Sequence, residues 1–363
     1  MDYFDIIPSE LNEIIISYLL VKDLKIFLES FRLLRINWST IHSYHFGEYK
    51  FINDNNEYLT RLFIESLLDK LDLKYTIDQL INLINLDLSD NQLVQIPPEI
   101  GNLTNLQELD LSRNQLVQVP SEIGNLINLR ALYLSDNKLT QLPPEIGNLT
   151  NLINLDLSDN QLKQVPKEIG TLSNLQELNL GNNQLTQVSP EIGTLTNLQI
   201  LDLYDNDLIQ VPPEIGNLNN LQELNLSINQ LTQLLPEIGN LSNLQTLYLN
   251  DNQLVRVPPK IGNLSNLQTL FLTNNKLVLA PPEIGNLINL QKLSLARNKL
   301  TQVPSEIGNL INLEKLSLSN NQLTQVPSEI GNLSNLQDLN LRYNQLTQVP
   351  PEIKSIPGIR IYE

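Results

Sequence analysis

The sequence predicts an α/β solenoid: a horseshoe with a parallel β-sheet on its concave face, preceded by a small α-helical N-terminal module. Three observations carry that prediction. From Leu83 onward the chain repeats itself every 23 residues. Within each unit a Leu-x-Leu alternation marks a short strand with one buried face. Residues 1–80 share nothing with the repeat and hold the only Trp, Trp38.

The first unit reads Leu83-x-x-Leu86-x-Leu88-x-x-Asn91-x-Leu93-x-x-Ile96-Pro97-Pro98-Glu99-Ile100-Gly101-Asn102-Leu103. Twelve units begin at Leu83 and end with the one at Leu336, covering 81–358. A truncated unit, 359–363, follows. Self-similarity of this kind marks a stack in which no single unit is stable alone. The ninth position is Asn in every unit: Asn91, Asn114, Asn137, Asn160, Asn183, Asn206, Asn229, Asn252, Asn275, Asn298, Asn321 and Asn344. An amide there can satisfy buried backbone groups that would cost ~1–3 kcal/mol each if left bare. Stacked units would line these amides into a ladder. The Pro-Glu-Ile-Gly-Asn-Leu half returns along the outer wall, with Pro presetting its geometry and Gly freeing the bend. Ser189 and Leu235 replace the first Pro, so the outer wall is expected to be looser there. The recurring Glu at position seventeen (Glu99, Glu122, Glu145) reads as a solubilising outer edge.

These motifs resemble the leucine-rich repeat family, in its 23-residue type with Leu-Pro-x-Glu-Ile-Gly-x-Leu. The units are similar to those of intracellular Ras-group repeat proteins and of Roco proteins. That resemblance implies a protein target on the concave sheet, often a small GTPase.

Strand positions between the core leucines face that sheet. Asp87, Glu108, Asp110, Asp156, Glu177, Asp202 and Glu223 make its first half acidic. Tyr248 and Phe271 form an aromatic step, followed by Lys292, Arg297, Lys315 and Arg342. Residues 81–289 hold 8 basic and 21 acidic residues, whereas residues 290–363 hold 7 and 6. The candidate partner-binding set is therefore Tyr133, Tyr204, Tyr248, Phe271, Lys292, Arg297, Lys315 and Arg342, because aromatics and Arg dominate interface energetics. The competing account is surface variation among duplicated repeats.

In the N-terminal module, Leu11, Ile14, Ile15, Tyr18 and Leu19 have the spacing of an amphipathic helix that starts near Pro8 and Ser9. Further helices are expected at 22–34 and 58–71. Ile7-Pro8-Ser9-Glu10-Leu11, Ile15-Ile16-Ser17-Tyr18-Leu19 and Asp23-Leu24 resemble the F-box, within residues 5–40. Phe31-Arg32 stands where that family has Cys-Arg, and Trp38 follows later than the family's Trp. The resemblance implies a Skp-type adaptor of a cullin ubiquitin ligase, with Pro8, Leu11, Ile15, Leu19 and Leu24 packing the adaptor-binding helices. The plainer account is a cap for the hydrophobic end of the array, and one segment could do both.

Several function classes fall away. A net charge of −17 opposes nucleic acid and anionic membrane partners. With no Cys there is no thiol nucleophile or disulfide framework. His42 and His45 are the only histidines, too few for a zinc site. No phosphate-cradling glycine motif occurs, so neither cofactor nor catalysis is expected. The acidic N-terminus lacks a signal-peptide pattern, and the apolar stretch from Ile14 is too short to span a bilayer, which points to the cytoplasm. At the other end, Leu336, Leu339 and Leu341 are expected to be only partly covered, with Ile359, Ile361 and Tyr362 as a minimal strand. Fraying or end-to-end dimerisation through that edge would follow.

Overall fold

The computed structural model describes residues 82–363. The chain divides into two compact units, Met1–Arg61 and Leu62–Glu363, and the described residues all belong to the second. The F-box-like segment, the expected helices before residue 80 and both histidines lie outside the described residues.

Among the described residues, thirteen strands form one parallel sheet in strict sequence order. Each strand is three residues long, from β1 (Asn85–Asp87) to β13 (Arg360–Tyr362). From β1 to β12 the register advances one whole unit per strand, as in Leu86↔Leu109 and Leu224↔Leu247, and β13 follows at 22 residues. The central Leu of a strand therefore always stacks on its counterpart and points into the core. Each interior unit returns through a five-residue 3-10 turn, such as Ser121–Asn125, whose Ile is fully buried. Leu106, Leu109, Leu111, Leu116, Ile123 and Leu126 are each 0% exposed and form one core with their counterparts above and below.

The ladder asparagines tie each unit to the one before it. Asn229 Oδ1 accepts the backbone N–H of Leu208 at 3.0 Å. Its Nδ2 lies 2.9 Å from the Leu203 carbonyl oxygen and 3.2 Å from those of Leu226 and Ser227. One side chain thus serves four buried or half-buried backbone groups in two units. A second ladder runs outside it. The Asn before each unit's first Leu donates to the carbonyl 24 residues earlier, as in Asn128 Nδ2 to Thr104 O at 2.8 Å and Asn335 Nδ2 to Ile311 O at 2.8 Å.

The turn glycines act differently from the sequence expectation. They do not supply a bend, because Gly358 is the one described glycine with positive φ. They allow close approach: a Cβ on Gly124 would meet the Glu145 carbonyl oxygen of the next unit at 2.6 Å. The left-handed conformation falls instead on the eighth residue of every unit, with φ between +50° and +60°. Eight of these residues are Asp or Asn, which tolerate that region; Arg113, Ile228, Arg297 and Tyr343 do not share that tolerance. A β-branched residue such as Ile228 carries strain of about 1–2 kcal/mol there.

Two further expectations are corrected. Ser189 (φ −64°, ψ 141°) and Leu235 (φ −75°, ψ 147°) keep the backbone of the prolines they replace, and both precede intact 3-10 turns. The outer wall is not looser there. Leu336, Leu339 and Leu341 are 1%, 0% and 2% exposed, so they are fully covered rather than partly so. A short α-helix, α1 (Pro351–Lys354), buries Ile353, and β13 pairs with β12 (Asp338–Asn340) through Leu339↔Ile361. Hydrogen bonds from Arg360 N to Gln337 O (2.8 Å) and Leu341 N to Tyr362 O (2.7 Å) hold β13 in place, which argues against fraying.

The ladder geometry fixes a rank order for substitutions. Asn229→Ala leaves the Leu208 N–H and the nearby carbonyls without their partner and should cost about 2–3 kcal/mol. Asn229→Asp aims a carboxylate oxygen at three carbonyl oxygens and should cost more. Urea unfolding of both variants checks the order; an aspartate variant as stable as the alanine variant would contradict it.

Candidate functional site

Alternation along each strand sends the third and fifth residues to the open face of the sheet, because the fourth and sixth are core leucines. Side chains on that face therefore form rows across neighbouring strands. One row runs Asp202, Asn225, Tyr248, Phe271, Ser294, Ser317, Asn340 and Tyr362. Another runs Glu223, Thr246, Thr269, Lys292, Lys315, Asp338 and Arg360.

Three zones follow from this order. The first is acidic and centres on Asp202 of β6 (Ile200–Asp202) and Glu223 of β7 (Glu223–Asn225). Asp202 Oδ1 accepts the Tyr204 backbone N–H at 2.8 Å, and Asn225 Nδ2 reaches Oδ2 at 3.3 Å. Burial nevertheless raises the Asp202 carboxyl above its ordinary range, and the charge of Asp156 adds to this. Burial and then the Asp202 charge raise Glu223. The second zone is the aromatic step. Tyr248 of β8 (Thr246–Tyr248) and Phe271 of β9 (Thr269–Phe271) stand 5.7 Å apart between centroids, tilted by 57°. Burial raises the Tyr248 hydroxyl, followed by the charges of Glu223 and Asp202.

The third zone is a recess of about 420 Å³ over β9–β13, lined by Phe271, Lys292, Ser294, Lys315, Ser317, Arg360 and Tyr362, among others. Lys292 of β10 (Lys292–Ser294) and Lys315 of β11 (Lys315–Ser317) sit side by side in register. Arg360 is bound to Asp338 at 2.8 and 2.9 Å.

The structure thus brings together four of the eight candidate residues, Tyr248, Phe271, Lys292 and Lys315, with Arg342 at their margin, and leaves the other three apart. Tyr133 lies on β3 (Ala131–Tyr133), five strands before Tyr248. Tyr204 follows β6 on the loop. Arg297 occupies the left-handed eighth position, so the chain has already turned off the sheet. Arg342 stacks its guanidinium 5.1 Å from the Tyr362 ring centroid, at the margin of the recess. Tyr362 and Arg360 were not among the candidates: the last unit reads as a minimal strand, but its offset of 22 residues from β12 hides which side chains join the rows. Two amide-rich grooves of about 580 and 510 Å³ flank the sheet. They are lined by the outer-ladder Asn residues and by second-position side chains, mostly Gln, with Glu314 in one and Arg130 and Ile153 in the other.

Among the described residues no cluster of His, Asp or Glu could hold a metal ion, and no helix is long and apolar enough to cross a membrane.

The family description "Leucine-rich repeat region" matches residues 58–152, 121–205 and 214–316, and two shorter repeat descriptions match 288–346 and 197–218. The chain is a leucine-rich repeat protein. It is 38% identical to a leucine-rich repeat protein of Leptospira interrogans, with 80% of this chain and 92% of that one covered and a TM-score of 0.54. The plant peptide hormone receptor RGFR1, in complex with RGF2, is 31% identical over 78% of this chain and 52% of its own, with a TM-score of 0.63. An internalin of Listeria monocytogenes is 25% identical over 84% and 94%, with a TM-score of 0.61. No curated protein matches the chain. As in other leucine-rich repeat proteins, the array is a scaffold suited to protein–protein interaction.

The raised Asp202 carboxyl makes a pH prediction. It binds its proton more tightly folded than unfolded, so its penalty is absent in acid and grows as pH rises from the ordinary aspartate value to the raised one. Asp87, held low by the Ser89 hydroxyl and N–H, works in the opposite sense. Asp202→Asn should therefore gain stability relative to wild type between roughly pH 4 and pH 7. Thermal melts at both values check this; a difference that shrinks with rising pH would contradict it.

Proposed function

We propose that this protein is a non-enzymatic, intracellular recruitment module that captures a target protein on its open sheet face and delivers it to a cullin-type ubiquitin ligase. The recess beside the aromatic step carries the capture half of this reading: it joins the Phe271 and Tyr362 rings to two lysines on the open face. The RGFR1 complex supports the same use of such a scaffold, since that protein is seen with a bound peptide hormone. The recruitment half rests on the F-box-like residues Pro8, Leu11, Ile15, Leu19 and Leu24. In this reading they pack the helices that meet a Skp-type adaptor. The plain-scaffold alternative, such as binding a small GTPase with residues 1–80 only capping the array, differs in one observable.

Titration of the full chain against a eukaryotic Skp-type adaptor tests it. Binding with a Kd of about 1 μM or tighter is expected, lost in a Leu11→Ala/Leu19→Ala variant whose array still melts normally. Absence of binding by folded protein would leave residues 1–80 as a cap and the array as a plain scaffold.

A further inference from the structure

The lysine pair is an unrelieved like-charge contact on the sheet; Asp87 and Asp110, also opposite in register, each accept a hydrogen bond from a serine two residues on. Lys292 and Lys315 lie directly opposite one another on adjacent parallel strands, and both are exposed on the same face. Like charges in that relation repel and destabilise a sheet. Neither lysine has a hydrogen-bond or ion-pair partner among the described residues. Asp338, the next residue in their row, is already taken by Arg360 through two contacts, at 2.8 and 2.9 Å. A repeat scaffold has no structural need for this arrangement, because other units place Asn, Thr, Ala, Ile, Glu or Asp at the same position. Unpaid local conflicts of this kind collect at functional sites.

The surroundings narrow what would resolve the conflict. The recess at the lysines is bounded on one side by Phe271, which leads to Tyr248. On the other side Tyr362 closes it, with Arg342 against its ring. Beyond Tyr248 the face turns acidic at Glu223 and Asp202. A uniformly acidic chain laid along the row would meet repulsion there, so the face selects against it as well as for a matching one.

We propose that this recess and the aromatic step beside it hold a short extended segment of a partner protein, with its acidic residues over Lys292 and Lys315 and its apolar residues on Phe271 and Tyr248. The proposal rests on the open face being the partner-binding surface. The span from Lys315 on β11 to Tyr248 on β8 is three strand spacings, roughly 14 Å, which four or five extended residues cover. Charge-assisted hydrogen bonds from the two ammonium groups supply attraction, and the rings supply buried apolar area. The acidic first half fixes the direction in which the segment lies.

Fluorescence-anisotropy titration of the full chain with labelled synthetic hexapeptides tests this. One pair carries Asp-Asp-Gly-Leu-Phe-Gly and its reversed order, covering both chain directions; the controls replace both Asp by Asn, or all apolar residues by Asp. The Asp-Asp peptide in one direction should bind about tenfold tighter than the Asn control and the all-acidic control, and weaken with added salt. A Lys292→Ala/Lys315→Ala variant should lose that advantage while melting at the same temperature as wild type or higher. Equal binding of Asp and Asn peptides would overturn the acidic preference and leave open-face binding standing. No saturation by any peptide at ~1 mM would overturn both. A double variant that melts lower would show the lysines to be structural and refute the conflict argument.

Discussion

Every unit of this protein depends on the backbone of its neighbour, and the ninth-position asparagine is where that dependence is enforced. The chain must turn inward after each three-residue strand, leaving amide groups that neither strand nor 3-10 turn can pair. From Asn114 to Asn344 each Asn takes an N–H from the preceding unit and reaches carbonyls in both. The array is therefore satisfied only when stacked, and its cooperativity is a hydrogen-bonding fact as much as a hydrophobic one.

The other recurring residues follow from the spacing that this imposes. Units stacked at strand distance bring one turn's carbonyl against the next turn's Cα, so Gly124 and its counterparts cannot carry a side chain without displacement. The same stack requires a left-handed residue just before each Asn, and Ile228 shows that the scaffold imposes it even on an unsuitable side chain. Because these positions are fixed by packing, variation collects on the open face. There a residue affects its row neighbours but not the core, and an acidic zone, an aromatic step and a lysine pair can coexist on one rigid sheet.

The repeat, the strand, the core leucines and the Asn ladder were legible because each has its own periodic signal. The outer ladder was periodic too, yet the Asn before each unit's first Leu, such as Asn128, reads equally as a turn residue. Glycine's true role was hidden because sequence shows flexibility and not the distance to a neighbouring carbonyl. Arg297 was misplaced for a related reason: only the observed φ reveals that the chain has left the sheet by the eighth position. Tyr362 was legible as part of a minimal terminal strand but not as a site residue, because β13 pairs at an offset of 22 residues, as in Leu339↔Ile361, one short of the repeat. The Lys292–Lys315 pairing, in contrast, follows directly from the 23-residue register.

Native-state hydrogen exchange tests the stacking account most directly. The backbone N–H groups of Leu116, Leu139, Leu208 and Leu231 each donate to the next unit's Asn and to no strand partner. If the ladder holds the units together, these amides should exchange as slowly as the central strand amides, by the same cooperative opening. Exchange at rates typical of exposed loops would mean that the Asn bonds open independently, and that leucine packing alone carries the array.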